Sequence, residues 1–245
     1  MDPPHAPLTD YYAGPGDRRR WLRDLFSRTA TDYDRVERVL AFGSGTWYRR
    51  RALLEAGLAR AMVVVDVGVG TGLVATAAAR IVGDARLVTG VDPSPGMVAA
   101  AKVPPGVRLV EGSAEALPLP DSSADFISMG FALRHVDDLA ASFREFHRVL
   151  RPGGRVCVLE ITRPTSALGR SMLKAYMRGV VPWIARRVGR HRDTPELMRY
   201  YWDTIEACVP PATVLERLDG AGFTAVERQV DLGIFSAFRA RKPAG

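Results

Sequence analysis

Along this chain, short apolar runs alternate with stretches in which apolar positions recur every three or four residues. The runs at Met62–Val67, Arg86–Val91, "VRLVEG" from Val107, "FISMGFAL" from Phe126 and "RVCVLEITRP" from Arg155 have the length and β-branched content of strands. Helical patterns fall between them: from about Gly72 to Ile81, around Met97–Lys102, and through "DDLAASFREFHRVLRPGG". In the last, Leu139, Phe143, Phe146 and Leu150 share one face, and Pro152, Gly153 and Gly154 stop the helix. The tail reads as a helix, a turn and two more strands. Strand and helix in alternation predict an α/β fold, a doubly wound, mainly parallel seven-stranded sheet with its ligand beyond the carboxyl ends of the strands.

The flanks depart from that rhythm. Residues 1–20 are rich in Pro and Gly and predict a flexible arm, with 21–245 as a single domain. Residues 21–60 form a leading helical region, broken at Phe42–Gly45. From 164 to 211 the alternation lapses again, and Leu168, Met172, Tyr176, Val180 and Ile184 recur every four residues. Pro182 is expected to bend or end that helix. A second segment carries Leu197, Tyr200, Tyr201, Trp202 and Ile205. This helical insertion reads either as a lid over an apolar substrate or as side chains packed on the sheet.

One junction carries chemistry. "MVVVDVGVGTGLVATAAA" places Asp66 at a strand end, then Gly68, Gly70 and Gly72 at every second position with Thr71 among them, then a helix. Such a strand, turn and helix present bare backbone to a ligand. Asp92, followed by Pro93, ends the next strand twenty residues later, where a carboxylate can accept both hydroxyls of a ribose. A dinucleotide fingerprint is G-x-G-x-x-G, whereas the spacing here is G-x-G-x-G with Asp66 two residues ahead, a carboxylate that repels phosphate. An amino group and a sulfonium suit that acidic strand end better. A nicotinamide dinucleotide site and a turn that binds nothing are the alternatives.

The chain has 245 residues, a formal charge of +7 and a pI near 9.8, with its cations nearly all arginine. No nucleic-acid-binding module is legible, so the basicity reads as an arginine-rich solvated surface or as attraction to an anionic membrane. Cys157 and Cys208 lie too far apart in character and position to suggest a disulfide framework or a metal site. The opening residues lack the order of a signal peptide, and the expected compartment is the cytoplasm.

"DVGVGTG" closely resembles the first motif of the class I S-adenosylmethionine-dependent methyltransferases, and "GVDPSPGMVAAA" resembles their second. The stretch "EGSAEALPLPDSSADFISMGFALRHVDDLAASFREFHRVLRPGGRVCVLEITRP" is similar to the ubiquinone/menaquinone biosynthesis C-methyltransferases within that class. The likeness runs from about Phe26 to Pro164, and its most specific part is the "FALRHVDD" loop. That family has Gly at the position of Ala132, Asn at that of His135 and an acidic residue at that of Ser113. The resemblance implies a class I Rossmann-like methyltransferase using S-adenosyl-L-methionine on a polyprenylated quinol-type aromatic acceptor, at the inner face of a membrane. Peripheral membrane contact and a homodimer are compatible with it; nucleic acid is not an expected partner. The alternatives are a methyltransferase of another phenolic or polyketide-like metabolite, and a non-catalytic donor-binding subunit.

The resemblance also distributes roles. Asp66 and the Gly68–Gly72 backbone hold the methionine end, Asp92 the ribose, and Met97, Ser113 and Ala114 the adenine, over a floor of Met129, Gly130 and Phe131. Methylating an aromatic carbon requires that a neighbouring phenol, with a pKa near 10, lose its proton first. Arg134 and His135, after the fourth strand, are the candidates: a guanidinium to stabilise phenolate or orient a water, an imidazole to take the proton. Tyr33 is a candidate for bonding the acceptor oxygen, or else packs.

Overall fold

A computed structural model describes residues 2–40, 45–188 and 192–245, excluding the side chains at 15, 31, 33–40, 185 and 188. Strands β1 (Val64–Val67), β2 (Val88–Asp92), β3 (Arg108–Glu111), β4 (Ala124–Gly130) and β5 (Leu150–Ile161) run parallel. Strands β6 (Thr224–Asp231) and β7 (Phe235–Arg241) complete a seven-stranded sheet in the order β3-β2-β1-β4-β5-β7-β6. The last strand, β7, inserts antiparallel between β5 and β6.

Both faces of the central sheet are covered, which is why β1, β4 and β5 bury successive positions. Ile127, Met129, Val156 and Val158 face a core built with Leu139, Phe143 and Phe146 of α5 (Leu139–Val149) and Leu218 of α9 (Pro211–Gly220). Phe126, Cys157 and Leu159 face the other way, against Ala75, Ala78 and Val82 of α3 (Leu73–Val82) and Leu53 of α2 (Gly45–Glu55). The short α4 (Pro95–Ala100) opens with a Ser94 hydroxyl accepting from the Met97 amide, a standard N-cap.

A third core lies outside the sandwich. It joins Leu25 of α1 (Pro15–Leu40) to Met177 and Val181, and to Leu197, Met198, Tyr201, Trp202 and Ile205 of α8 (Thr194–Ala207). The insertion is helical as its periodicity predicts, through α6 (Ala167–Ala175), a π turn at Tyr176–Val180 and α7 (Val181–Val188). Pro182 does not end it. Proline in the first turn of α7 has no lost intrahelical partner, and the widened turn before it accommodates the ring.

The flexible arm expected for residues 1–20 is not what the structure has. Helix α1 starts at Pro15, and the residues before it are tied down over long sequence distances. Asp2 pairs with Arg217 and its carbonyl accepts from the Leu139 amide. The Pro4 carbonyl accepts from Val209, Tyr11 donates to Asp203 at 2.6 Å, and Tyr12 is buried. Pro and Gly signal looseness locally, yet long-range bonds hold these residues as a strap.

Candidate active site

A cavity of about 460 Å³ opens beyond the carboxyl ends of β1, β2 and β4. Its size falls within the roughly 300–1,000 Å³ usual for small-molecule sites. The glycine turn forms one wall. The Gly68 and Val69 amides donate to the Val91 carbonyl at 2.8 and 3.0 Å, which fixes the turn to the end of β2. Gly68, Gly70 and Gly72 all have positive φ. At Gly68 an added Cβ would stand 2.5 Å from Ala132, and at Gly72 2.3 Å from Val103. Gly70 differs: a Cβ there would meet only the Gly68 carbonyl oxygen, at 4.0 Å, so backbone faces the cavity without crowding behind it.

Asp92 closes the same wall. Its Oδ2 accepts from the Gly70 amide at 2.8 Å and its Oδ1 from the Ser94 amide at 2.9 Å. Burial pushes its carboxyl up to about 6, against the pull of those two amides. The amide that would cradle a phosphate is therefore already taken by a carboxylate. That arrangement disfavours a pyrophosphate and fits a nucleoside with two ribose hydroxyls to offer. The Thr71 hydroxyl is a further fit: buried on the cavity wall, it has no hydrogen-bond partner among the described residues. Pro93, Met97, Ser113 and Ala114 lie along the adjacent wall, and Met129, Gly130 and Phe131 form the base.

The loop after β4 carries the remaining chemistry. Phe131 adopts φ +59°, costly for a residue with a Cβ, and its amide is held by the Leu159 carbonyl at 2.7 Å. One turn of 3-10 helix, Leu133–His135, follows. His135 reaches the cavity, and its ring lies among Phe26, Tyr200 and Tyr201 at centroid distances of 5.1, 5.7 and 5.6 Å. Neither ring nitrogen has a hydrogen-bond partner among the described residues. Burial first, then the nearby Arg134 and Arg18 charges, hold its pKa well below the usual histidine value, so the imidazole is neutral at physiological pH.

Three sequence-derived candidates are not on the cavity wall. Asp66 is buried beneath the turn, accepting from the Ser128 hydroxyl at 2.7 Å, and desolvation pushes it up to about 7. Gly72 packs against Val103. Arg134 is fully buried behind the loop: its Nε lies 3.3 Å from Glu160, and its guanidinium sits 4.8 Å above the Tyr201 ring. It braces the loop rather than facing the cavity. The side chain of Tyr33 lies outside the described residues.

Sequence reading missed the opposite wall. Gly16, Arg19, Leu22, Arg23 and Phe26 of α1 line the cavity, with Arg49 from α2 and Tyr201 from α8. Their spacing of three and four was visible as one helical face. Arg18, one turn before Leu22 on α1, donates to the Arg134 and Val136 carbonyls at 3.0 Å and to Asp137 at 2.9 Å, fastening the helix to the His135 loop.

The model of the ubiE/COQ5 methyltransferase family matches residues 15–242. A protein of Syntrophotalea carbinolica named ubiquinone/menaquinone biosynthesis C-methyltransferase UbiE is 35% identical over 212 residues, 84% of this chain and 87% of its own length. A demethylmenaquinone methyltransferase of Chlorobaculum tepidum is 33% identical over 214 residues, 85% of this chain and 86% of its own. Among solved structures, a Thermotoga maritima S-adenosylmethionine-dependent methyltransferase, described as a possible histamine N-methyltransferase, superposes with a TM-score of 0.62. At 24% identity, covering 89% of this chain and 98% of that one, it speaks for the fold.

Proposed function

The chain belongs to the ubiE/COQ5 methyltransferase family, and from that premise we propose that it transfers a methyl group from S-adenosylmethionine to a ring carbon of a demethylmenaquinol-class acceptor. The observation that carries the chemistry is Asp92 bonded to the Gly70 amide on a cavity wall that ends at a neutral His135. Bound S-adenosylmethionine supplies an electrophilic methyl group that leaves its sulfonium by in-line displacement. The protein's part is alignment and exclusion of water, and holding two reactants at attack distance is worth roughly 7–11 kcal/mol.

Asp92 would hold the ribose hydroxyls, with Met97, Ser113 and Ala114 at the adenine and the Gly68–Gly70 backbone at the methionine end. His135 would accept the hydrogen bond of the acceptor's phenol and take its proton. The electron pair then moves to the neighbouring ring carbon, which forms the new C–C bond and afterwards loses its hydrogen as a proton. Burial lowers the basicity of His135, yet the arginines behind it that keep it neutral also favour the phenolate. Phe26 and Tyr201 supply apolar walls against which an aromatic ring packs. Within the 164–211 insertion, α8 acts as the lid over that ring, through Tyr201. The prenyl tail partitions into lipid, which places the working protein peripherally at a membrane face.

The test is mass spectrometry of the product made with isotopically labelled methyl donor and a demethylmenaquinol analogue. The label is expected on ring carbon, and His135→Ala is expected to reduce kcat about 10²–10⁴-fold, the usual worth of a positioned acid or base. Label found solely on oxygen would reject carbon transfer.

Asp92 also sets a pH dependence. Its carboxylate form is the one that accepts ribose hydroxyls, and its pKa in the free protein is about 6. Affinity for S-adenosylhomocysteine is therefore full above that value and falls as pH drops through it, approaching tenfold per unit. Ligand-free stability has the opposite sign. Asp66 and Asp92 are both raised, so their contribution is complete below the unfolded value near 4 and is lost as pH rises through about 6 to 7. Calorimetry and thermal melts between pH 5 and 8 check both slopes.

A further inference from the structure

Helices α6 and α7 and the π turn between them carry four large apolar side chains that nothing described covers: Leu168, Met172, Val180 and Trp183 are 72%, 65%, 44% and 55% exposed. The π turn brings Val180 into line with Met172. Eight residues of regular helix would rotate Val180 about 80° from Met172. The turn at Tyr176–Val180, closed by the Val181 amide on the Tyr176 carbonyl, absorbs one extra residue and returns Val180 to within about 20° of that line. Met177 and Val181 point the other way, into the core shared with Leu197 and Trp202.

Charge singles out the same element. Between Glu160 and Asp193 the chain has no acidic residue and eight arginines and lysines. Lys174 and Arg178 are paired with Glu206 and Asp203 of α8. Arg186 and Arg187 are exposed with no carboxylate partner among the described residues, and Arg187 lies 4.7 Å over the Trp183 ring. A convex basic helix with aromatic and aliphatic knobs is the pattern that lies in a lipid interface. A second copy of the chain fits poorly, since a two-fold contact through this face would set like charges against each other.

We propose that the α6–α7 face docks the protein on an anionic lipid bilayer. The inference rests on the prenylated-acceptor reading for its purpose and on the exposed face for its binding. Helix α7 packs on α1 and α8, which supply Phe26 and Tyr201 to the cavity wall, so docking brings that wall beside the lipid that holds the acceptor.

The experiment is co-sedimentation of the full chain with vesicles of phosphatidylcholine alone or mixed with phosphatidylglycerol. Binding is expected to the mixed vesicles and to weaken with salt. Arg186→Gln with Arg187→Gln should weaken it about 25-fold, from roughly fivefold per arginine. Leu168→Ser, Met172→Ser and Trp183→Ser together should abolish it while leaving the melting temperature unchanged. Equal binding to both vesicles, or variants that bind like the native chain, overturns the proposal. So does a concentration-dependent dimer in ultracentrifugation that the serine variant dissolves. Turnover separates the two readings: the variants should keep activity on a short-tailed soluble acceptor and lose it on a bilayer-embedded one. Native protein that methylates neither acceptor refutes the catalytic reading, and the docking face then stands or falls on co-sedimentation.

Discussion

Replacing Asp92 by Ala is expected to lower affinity for S-adenosylhomocysteine by about 10²–10⁴-fold. Hydrogen bonds to a charged group contribute about 1.5–3 kcal/mol each, and two ribose hydroxyls are lost together, about 3–6 kcal/mol in all. The change also strands the Gly70 and Ser94 amides that now donate to the carboxylate at 2.8 and 2.9 Å, loosening the turn itself. Asp92→Asn keeps an acceptor and the side chain's shape, so its loss should be intermediate and its binding flat between pH 5 and 8. Calorimetry measures all three proteins. A Kd for Asp92→Ala within threefold of the native value would mean that the ribose is held elsewhere.

Arg134→Ala should be the most damaging change to stability, although the residue is not on the cavity wall. Arg134 and Glu160 are 0% and 1% exposed and 3.3 Å apart. Removing one member of such a pair leaves the other charge buried without its counter-ion, which costs about 3–5 kcal/mol. For a domain of this size that is a fall of roughly 6–20 °C in Tm. Arg134→Met combined with Glu160→Met removes both charges and should recover most of the loss. The double variant then isolates function. With the fold restored, the loss of the brace on the His135 loop should appear as a fall of about tenfold in kcat with donor affinity intact. If the double variant melts as low as the single, the ion pair is not what holds this region together.

How far the sequence reached depends on the range of the contacts involved. The sheet, its flanking helices and the glycine turn were legible because each is written in local spacing: apolar runs, apolar positions every three or four residues, glycines at every second position. Asp92 was legible for the same reason. Asp66 was assigned to the ligand by the same logic and is buried instead, because neighbouring strands end at different depths and only a partner such as Ser128 reveals which carboxylate is below the rim. Arg134 and His135 were recognised as adjacent candidates, but which of them faces the cavity is set by Glu160 and Tyr201, far off in the chain. The strap of residues 2–12 had no local signal at all. Its bonds reach Leu139, Asp203, Val209 and Arg217, and a composition rich in Pro and Gly concealed them.

The position of β7 has a consequence for how the molecule comes into being. The strand that joins β5 to β6 is the last to be synthesised, so until residue 241 has emerged the nascent sheet stops at β5 with an unpaired edge. Every truncation that removes Phe235–Arg241 therefore splits an interior seam instead of trimming a border, and exposes two edges ready to pair with other chains. Closure of the sheet therefore waits for β7, after the other six strands have been made.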